Sequence, residues 1–361
     1  YTSQLGCTRS TNGLLPPFAK PHPRRIMTTY KESGVDVDAG ENAVDRIKPI
    51  VQETFTPGVL AGIGSFGSYV ELDASAYDEP VLVSSIDGVG TKVKVAVRTG
   101  RFDTVGQDLV NHCVNDVAVC GARPLYFLDY YGVGRLDPEV AESVVRGFAS
   151  ACKETGTALV GGEIAEMPDV YGNENFDLVG CIVAVVEKKG ILNGSTTEVG
   201  DVLIGLPSTG LHTNGYTLAR TVLFDAFDVD DMPDALAGGT VGDALLRVHR
   251  SYLDAIQAVV QSDCTPRGFA HITGGGLPGN LRRIMPEGCR AEVDYDAWSR
   301  PALFNLIQSL GDVPESDMRR TFNCGIGLVG TFPADEVDAV VDLLRAKGEE
   351  PVVIGRVVED V

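Results

Sequence analysis

The acids, histidines and glycines of this chain fall into short stretches whose residue types suit chemistry on phosphates. In SIDGVGTK (85–92), Asp87 ends a β-branched run and is followed by Gly88, Gly90, Thr91 and Lys92. Ligands collect at strand ends in α/β sheets, so Asp87 could hold Mg²⁺ and Lys92 could face a phosphate. The same stretch also reads as a turn with solvated charges. In HCVND (112–116), His112 and Asp116 are four apart and share a helix face, with Asp108 two turns before Asp116. An Asp and a neutral His so placed suit a metal–phosphate site, as ligand or support, or form a surface pair. YKESGVDVDAG (30–40) reads as a polar loop holding Lys31, Asp36 and Asp38. GGEIAEMPD (161–169) follows a strand, and Glu163 and Glu166 could act as base or metal ligand, or sit in a plain strand-end loop closed by Pro168. In STGLHTNG (208–215), Ser208, Thr209 and the backbone N–H groups of a helix start make a phosphate cradle, with His212 as an added donor. HITGGG (271–276) has three consecutive glycines, Gly274, Gly275 and Gly276, which suggests backbone packed against a ligand.

Two nucleotide motifs are tested and set aside. Gly62, Gly64 and Gly67 satisfy G-x-G-x-x-G, but a dinucleotide site needs a strand before it and a helix after it. Here SYVELD follows and alternates like a strand, which leaves a turn or a glycine loop beside a ligand. No G-x-x-x-x-G-K-[ST] occurs, so any use of ATP is without a Walker loop. The eight cysteines include no C-x-x-C pair and sit mostly in apolar runs, which reads as small buried side chains in a reducing compartment.

Alternating patterns position these stretches. VLVSSI (81–86), PLYFLDYY (124–131), TALVGG (157–162) and FDLVGCIVAVVE (176–187) read as strands. Residues 104–120 carry helical spacing, and Asp137 with Pro138 opens a helix that stops at Gly156. A polar connector at 188–200 leads to a second series. Its strands are DVLIGL, FNCGIGLVGTF and PVVIGRVVE; its helices are NGYTLARTVLFDAF, DALLRVHRSYLDAIQAVV and ADEVDAVVDLLRAKG.

The 361 residues suggest about two domains. A net charge of −20 weighs against a nucleic-acid partner, which would want a basic patch. It leaves room for a small anionic substrate held by a few cations or backbone N–H groups. No apolar run approaches the roughly 20 residues that span a bilayer, so no membrane partner is expected and a cytoplasmic location is. Residues 1–26 contain Arg9, Lys20, Arg24 and Arg25 and no acid. They read as an added or mis-assigned start, a disordered extension or, less in keeping with the composition, a transit peptide.

Taken together and in order, YKESGVDVDAG, GIGSFGSY, SIDGVGTK, HCVNDVAVCGARPLYFLDYY, GGEIAEMPDVY, VLIGLPSTGLHTNGY, HITGGGLPGN and FNCGIGL resemble the phosphoribosylformylglycinamidine cyclo-ligase (aminoimidazole ribonucleotide synthetase) family over about residues 29–361. Ile164 stands where the family commonly has Thr, Asp169 and Gly279 where Gly and Glu are common, and Cys324 where Met is usual. The resemblance implies a two-domain α/β fold with mixed sheets: an N-terminal ATP-binding and dimerisation domain (27–190) that pairs into a β-barrel in a homodimer, and a C-terminal domain (191–361) with the ribonucleotide site. It implies ATP-dependent cyclisation of formylglycinamidine ribonucleotide through phosphorylation of its formyl oxygen. Motif by motif, it implies ATP at Lys31, Asp38, Gly64, Gly67, Asp87, Gly88, Thr91, Lys92, His112 and Asp116, with Mg²⁺ on Asp38, Asp87 and Asp116. It implies the ribonucleotide at Ser208, Thr209, His212, Asn214, Gly215, Thr273 and glycines 274–276, with His271, Glu163 and Lys31 as catalytic groups. The rival readings are another ATP-using member of the superfamily, similar to selenophosphate synthetase or thiamine-monophosphate kinase, and a non-catalytic nucleotide-binding protein.

Overall fold

The computed structural model describes residues 29–172 and 175–360. The leader read at residues 1–26 lies outside them. Helix α1 (Val37–Gln52) starts where a polar loop was expected. Asp36 caps it, its carboxylate accepting the Ala39 amide at 3.4 Å, and Asp38 lies in its first turn. A short hairpin follows, β1 (Val59–Ala61) with β2 (Tyr69–Val70). Gly62, Gly64 and Gly67 form its loop, so the strand read in SYVELD shrinks to two residues and no dinucleotide turn exists.

The first large sheet runs in the order β3 (Pro80–Gly88), β6 (Phe176–Glu187), β4 (Arg123–Val133), β5 (Ala158–Glu166). Helices α2 (Val93–Thr99) and α3 (Asp103–Ala118) link β3 to β4. Helix α4 (Pro138–Glu154) makes the crossover between parallel β4 and β5; Asp137 caps it by accepting the Glu139 amide at 2.9 Å. Strand β5 continues to Glu166, which puts Glu163 and Glu166 on a strand rather than in a loop. Helices cover one face of this sheet. On the other, Leu82 and Ile86 of β3 stay 63% and 70% exposed, and the alternate residues of β6 and β4 beside them are only half-buried.

The second sheet is antiparallel, in the order β8 (Gly268–His271), β10 (Ile326–Phe332), β7 (Val202–Pro207), β11 (Val352–Glu359), β9 (Cys289–Val293). Around it pack α5 (Tyr216–Ala226), α6 (Val241–Leu245), α7 (Leu253–Val260), α8 (Gly276–Leu281), α9 (Ala302–Gly311), α10 (Glu315–Thr321) and α11 (Val337–Ala346). One continuous set of buried apolar side chains runs from α1 and α3 to α7 and α11, so the two sheets share a core.

Residues 243–260 were expected as one helix. The chain instead unwinds over 246–252, between α6 and α7, because α3 offers better partners. Asp108, Asn111 and Asn115 are spaced three and four apart on one face of α3. Asp108 accepts the His249 amide at 2.7 Å, Asn111 donates to the His249 carbonyl at 2.8 Å, and Asn115 accepts the Tyr252 amide at 2.7 Å and donates to the Arg250 carbonyl at 2.9 Å. Buried backbone groups must be paired, and here side chains do the work of helical bonds.

Candidate active site at the seam of the two sheets

Asp87 is the last residue but one of β3, and His112 and Asp116 lie on the face of α3 next to it. His112 Nε2 stands 3.0 Å from Asp87 Oδ2 and 3.9 Å from Asp116 Oδ2. Asp116 is further held by the Ser85 hydroxyl at 3.1 Å and by His271 Nδ1 at 2.8 Å. His271 closes β8, so a residue of the second sheet completes a site begun by the first. Behind it, His112 Nδ1 meets the Thr213 hydroxyl at 2.7 Å, Thr213 meets His249 Nδ1 at 3.3 Å, and His249 Nε2 faces His271 Nε2 at 2.9 Å. His212 stacks on His249 with ring centres 4.0 Å apart. All four histidines among the described residues therefore converge here.

Electrostatics splits these groups. Burial raises the Asp87 and Asp116 carboxyls, but the hydrogen bonds and charge of His112 and His271 outweigh it and hold both below their ordinary values. Burial lowers His112, yet Asp87 and Asp116 overcome it and raise its pKa. Burial wins at His271, which falls below its ordinary value despite Asp116. His212 and His249 are driven well down, by burial first and then by the neighbouring histidines and Lys92. The result is a pair of carboxylates favoured as anions, with His112 favoured in its charged form between them and His212, His249 and His271 favoured neutral behind. Asp87 and Asp116 keep 39% and 28% of their side chains exposed and form the mouth of the cluster. Two hard oxygen donors, part-exposed and favoured as anions, fit Mg²⁺.

Lys92 does not reach this mouth. Its side chain is fully buried, with Nζ 2.7 Å from Asp108, 3.2 Å from the His212 carbonyl and 2.7 Å from the Arg247 carbonyl. Burial draws Lys92 down and Asp108 up, each opposed by the other's charge. Its ammonium is committed to holding two loops of the second half, which is the physical reason it is not free to face a phosphate. Thr91 is exposed beside Thr217, and the Gly88 amide turns back to Asp87.

The motifs expected to hold the ribonucleotide gather on the second side. The Ser208 hydroxyl donates to Asn323, whose amide donates to the Gly210 carbonyl, and the Thr209 hydroxyl donates to the Val248 carbonyl. His212 is buried, its Nε2 accepting the Thr209 amide at 3.2 Å, so it braces the turn rather than facing open space. Thr273 and the Gly274 and Gly276 carbonyls are tied by Asn280. Gly274 lies against Asn214, where a Cβ would come 3.3 Å from the amide oxygen. Two of the glycines answer to protein rather than ligand. At Gly276 (φ 60°) a Cβ would stand 1.9 Å from the Arg319 carbonyl, and at Gly215 (φ 77°) 2.2 Å from the Phe322 ring.

Lys31, Asp38, Gly64, Gly67 and Glu163 are not brought to the cluster. Lys31 pairs with Asp36 at 2.6 Å on the exposed lead-in to α1, and Asp38 is exposed. Gly64 and Glu163 line a cavity of about 700 Å³ between α1, the hairpin loop and β5; Gly67 lines the groove beside it. Register aligns Asp87 with Gly180, Asp129 and Gly162 across the sheet. Three strand spacings, roughly 14 Å, therefore separate Asp87 from the β5 backbone next to Glu163.

The residues that sequence reasoning missed are Thr213, Asn115 and above all His249. The apolar spacing of DALLRVHRSYLDAIQAVV placed His249 on a helix, and the one local hint was the polar HRS interrupting that spacing.

Two family descriptions match the chain: "AIR synthase related protein, N-terminal domain" over residues 72–186 and "AIR synthase related protein, C-terminal domain" over residues 198–361. A phosphoribosylformylglycinamidine cyclo-ligase of Anaeromyxobacter sp. (strain Fw109-5) is 48% identical over 330 residues, 91% of this chain and 95% of that protein. One from Sorangium cellulosum (strain So ce56) is 50% identical over 337 residues, covering 92% and 96%. Among solved structures, thiamine-monophosphate kinase from Stenotrophomonas maltophilia K279a aligns with a TM-score of 0.66 at 20% identity, covering 88% of this chain and 93% of that one. Hydrogenase maturation protein HypE in complex with ATP aligns at 0.61 and 20%, covering 85% and 83%. At that identity the structural likeness speaks to fold alone.

Proposed function

The chain belongs to the phosphoribosylformylglycinamidine cyclo-ligase family, and from that premise we propose that the carboxylate–imidazole cluster at the seam is where ATP drives ring closure. The chain is a ligase of purine biosynthesis. The formyl oxygen of formylglycinamidine ribonucleotide attacks the γ-phosphate of ATP, and a substrate nitrogen then closes the five-membered ring and expels phosphate. The products are aminoimidazole ribonucleotide, ADP and phosphate.

The observation that carries the assignment is the 2.8 Å contact between His271 of HITGGG and Asp116 of HCVND. Two motifs more than 150 residues apart meet in one buried site. In this reading Asp87 and Asp116 would hold Mg²⁺, which supplies positive charge against the triphosphate when bound. His112 holds Asp87 as an anion, and His271 together with His112 does the same for Asp116. Asp116 fixes the His271 proton on Nδ1, and the His271–His249 pair, joined Nε2 to Nε2 at 2.9 Å, would take a proton as the ring nitrogen attacks. The motifs before residue 170 serve ATP, and STGLHTNG and HITGGG orient the ribonucleotide so that its two ends meet. Glu163, Lys31, Asp38, Gly64 and Gly67 stay with the α1 side and act on the nucleotide; proton transfer rests on His271. A homodimer built on the uncovered face of the first sheet and a cytoplasmic setting belong to the same reading.

A coupled assay of phosphate release tests it. Release should require both ATP and formylglycinamidine ribonucleotide. Asp87→Asn and Asp116→Asn should each lower kcat by about 10²–10³ with the fold intact, the usual cost of one lost charge-stabilising contact. Wild-type turnover in both variants would move the magnesium site elsewhere.

A further inference from the structure

The cleft of about 700 Å³ between α1, the hairpin loop and β5 has no part in ring closure beyond Gly64 and Glu163 on its wall. Much of that wall is apolar, with Val44, Ile47 and Val51 from α1 and Leu159 and Ile164 from β5. Asp129 of β4 opens into the same cleft. Its carboxyl lies over Gly162 of the neighbouring strand, where a Cβ would run into it, so glycine is what leaves the acid its place. No other described residue hydrogen-bonds it or pairs with it. The side chain is part-exposed, so a ligand in the cleft reaches it, while the protein around it pushes its pKa up to about 7. An apolar cavity of this size with an isolated, perturbed polar group is the common form of a small-molecule site.

Charge narrows the ligand. Apart from Tyr131, every titratable side chain on the wall is an acid: Asp36, Glu41, Asp45, Asp129, Glu163 and Glu166, with no Lys, Arg or His. Asp36 is taken by Lys31, and Glu166 by the amides of Asp36 and Leu136. The remaining acids exclude an anion, and apolar walls do not supply the octahedral oxygen shell that Mg²⁺ demands.

We propose that this cleft binds a flat organic cation, an amidinium or guanidinium on an apolar body, with Asp129 as the pairing carboxylate. Such a cation sets two parallel N–H groups against the two carboxylate oxygens, a bidentate charge-assisted pair, and its apolar body covers the α1 and β5 side chains. The pair needs Asp129 as an anion, so below pH 7 binding expels the carboxyl proton to solvent. Because Gly64 and Glu163 act on the nucleotide in the function proposed above, an occupant of the cleft also competes with ATP. That regulatory half rests on that reading; the binding half does not.

The test is calorimetric titration of the full chain with benzamidine, with benzamide, its neutral isostere, as control. One benzamidine per chain should bind with a Kd below about 1 mM, and benzamide at least about 10-fold more weakly. Affinity should rise about tenfold from pH 6 to pH 8 as Asp129 gives up its proton, and then level off. At pH 6 about one proton should leave per ligand bound, read as heat that varies with the buffer. Asp129→Asn keeps the shape and should be the more stable chain above pH 7, where wild-type Asp129 is a charge without a partner. It should bind benzamidine at least about 10-fold more weakly and without the pH dependence. No saturable binding, equal binding of benzamide, an affinity flat between pH 6 and pH 8, or undiminished binding in Asp129→Asn would overturn the site. Should that variant fail to fold, the wild-type pH series decides alone. Benzamidine should also raise the apparent KM for ATP and leave kcat at saturating ATP unchanged. Binding with that KM unmoved would overturn the regulatory half, and with it the place of Gly64 and Glu163 on the nucleotide, and leave the cation site standing.

Discussion

At the scale of single residues, the Lys92 charge is buried away from the mouth of the site. Lys92 and Asp108 are both fully buried, and around them hang the carbonyls of His212 and Arg247 and the amide of His249. A buried pair of this kind adds little over an apolar replacement, but removing one member strands the other. Lys92→Met should therefore destabilise the chain by about 3–5 kcal/mol in urea denaturation. Lys92→Met with Asp108→Leu should recover part of that loss, since no charge is then orphaned. A single-variant cost under about 1 kcal/mol, or simple additivity in the double variant, would show that the pair is not the strut described here. Asp87, His112, Asp116 and His271 could each be singled out by residue type in the sequence, but that they lie together is visible only in the fold. Lys92 was misread because spacing reveals that a cation follows a strand end but not which way it points. A neighbouring acid sixteen residues later, on another helix, decided its direction.

At the scale of elements, the strands and helices of the first half followed their periodicity closely, from the cap at Asp137 to the long β6. The failures share a cause. Tertiary hydrogen bonds replaced local ones where α3 meets residues 246–252, and an apolar period cannot report that. Helix α1 was missed for a related reason: Asp36 caps it from within a run of small and acidic residues that looks like a loop. If the polar face of α3 is what unwinds 246–252, Asn115→Leu should leave the Tyr252 amide and the Arg250 carbonyl unpaired. Each buried orphan costs about 1–3 kcal/mol, and His249 should lose its fixed place beside His271. Thermal or urea unfolding should show a loss of roughly 2–4 kcal/mol, with kcat falling in step. An Asn115→Leu chain as stable as the wild type would mean that the break is set by residues 246–252 themselves.

At the scale of the whole molecule, the first sheet is covered on one face only. Leu82 and Ile86, and the hairpin residues Leu60, Phe66 and Tyr69, are exposed apolar side chains, and a contiguous apolar patch is what a partner would cover. Light scattering should give a particle near twice 38.3 kDa, and Ile86→Asp should shift it towards the monomer. A fully active wild-type monomer would remove the reason given for that bare face. Within one chain, the shared core and the crossed hydrogen bonds tie the halves together. Residues 246–252 belong to no helix or strand, yet the amides of His249 and Tyr252 donate to buried side chains of the other half. Deuterium should therefore reach these two amides only when the entire chain opens, at rates matching the interior of α3 and far slower than ordinary loops. Exchange at the pace of a surface turn would mean that the two halves part company while each stays folded.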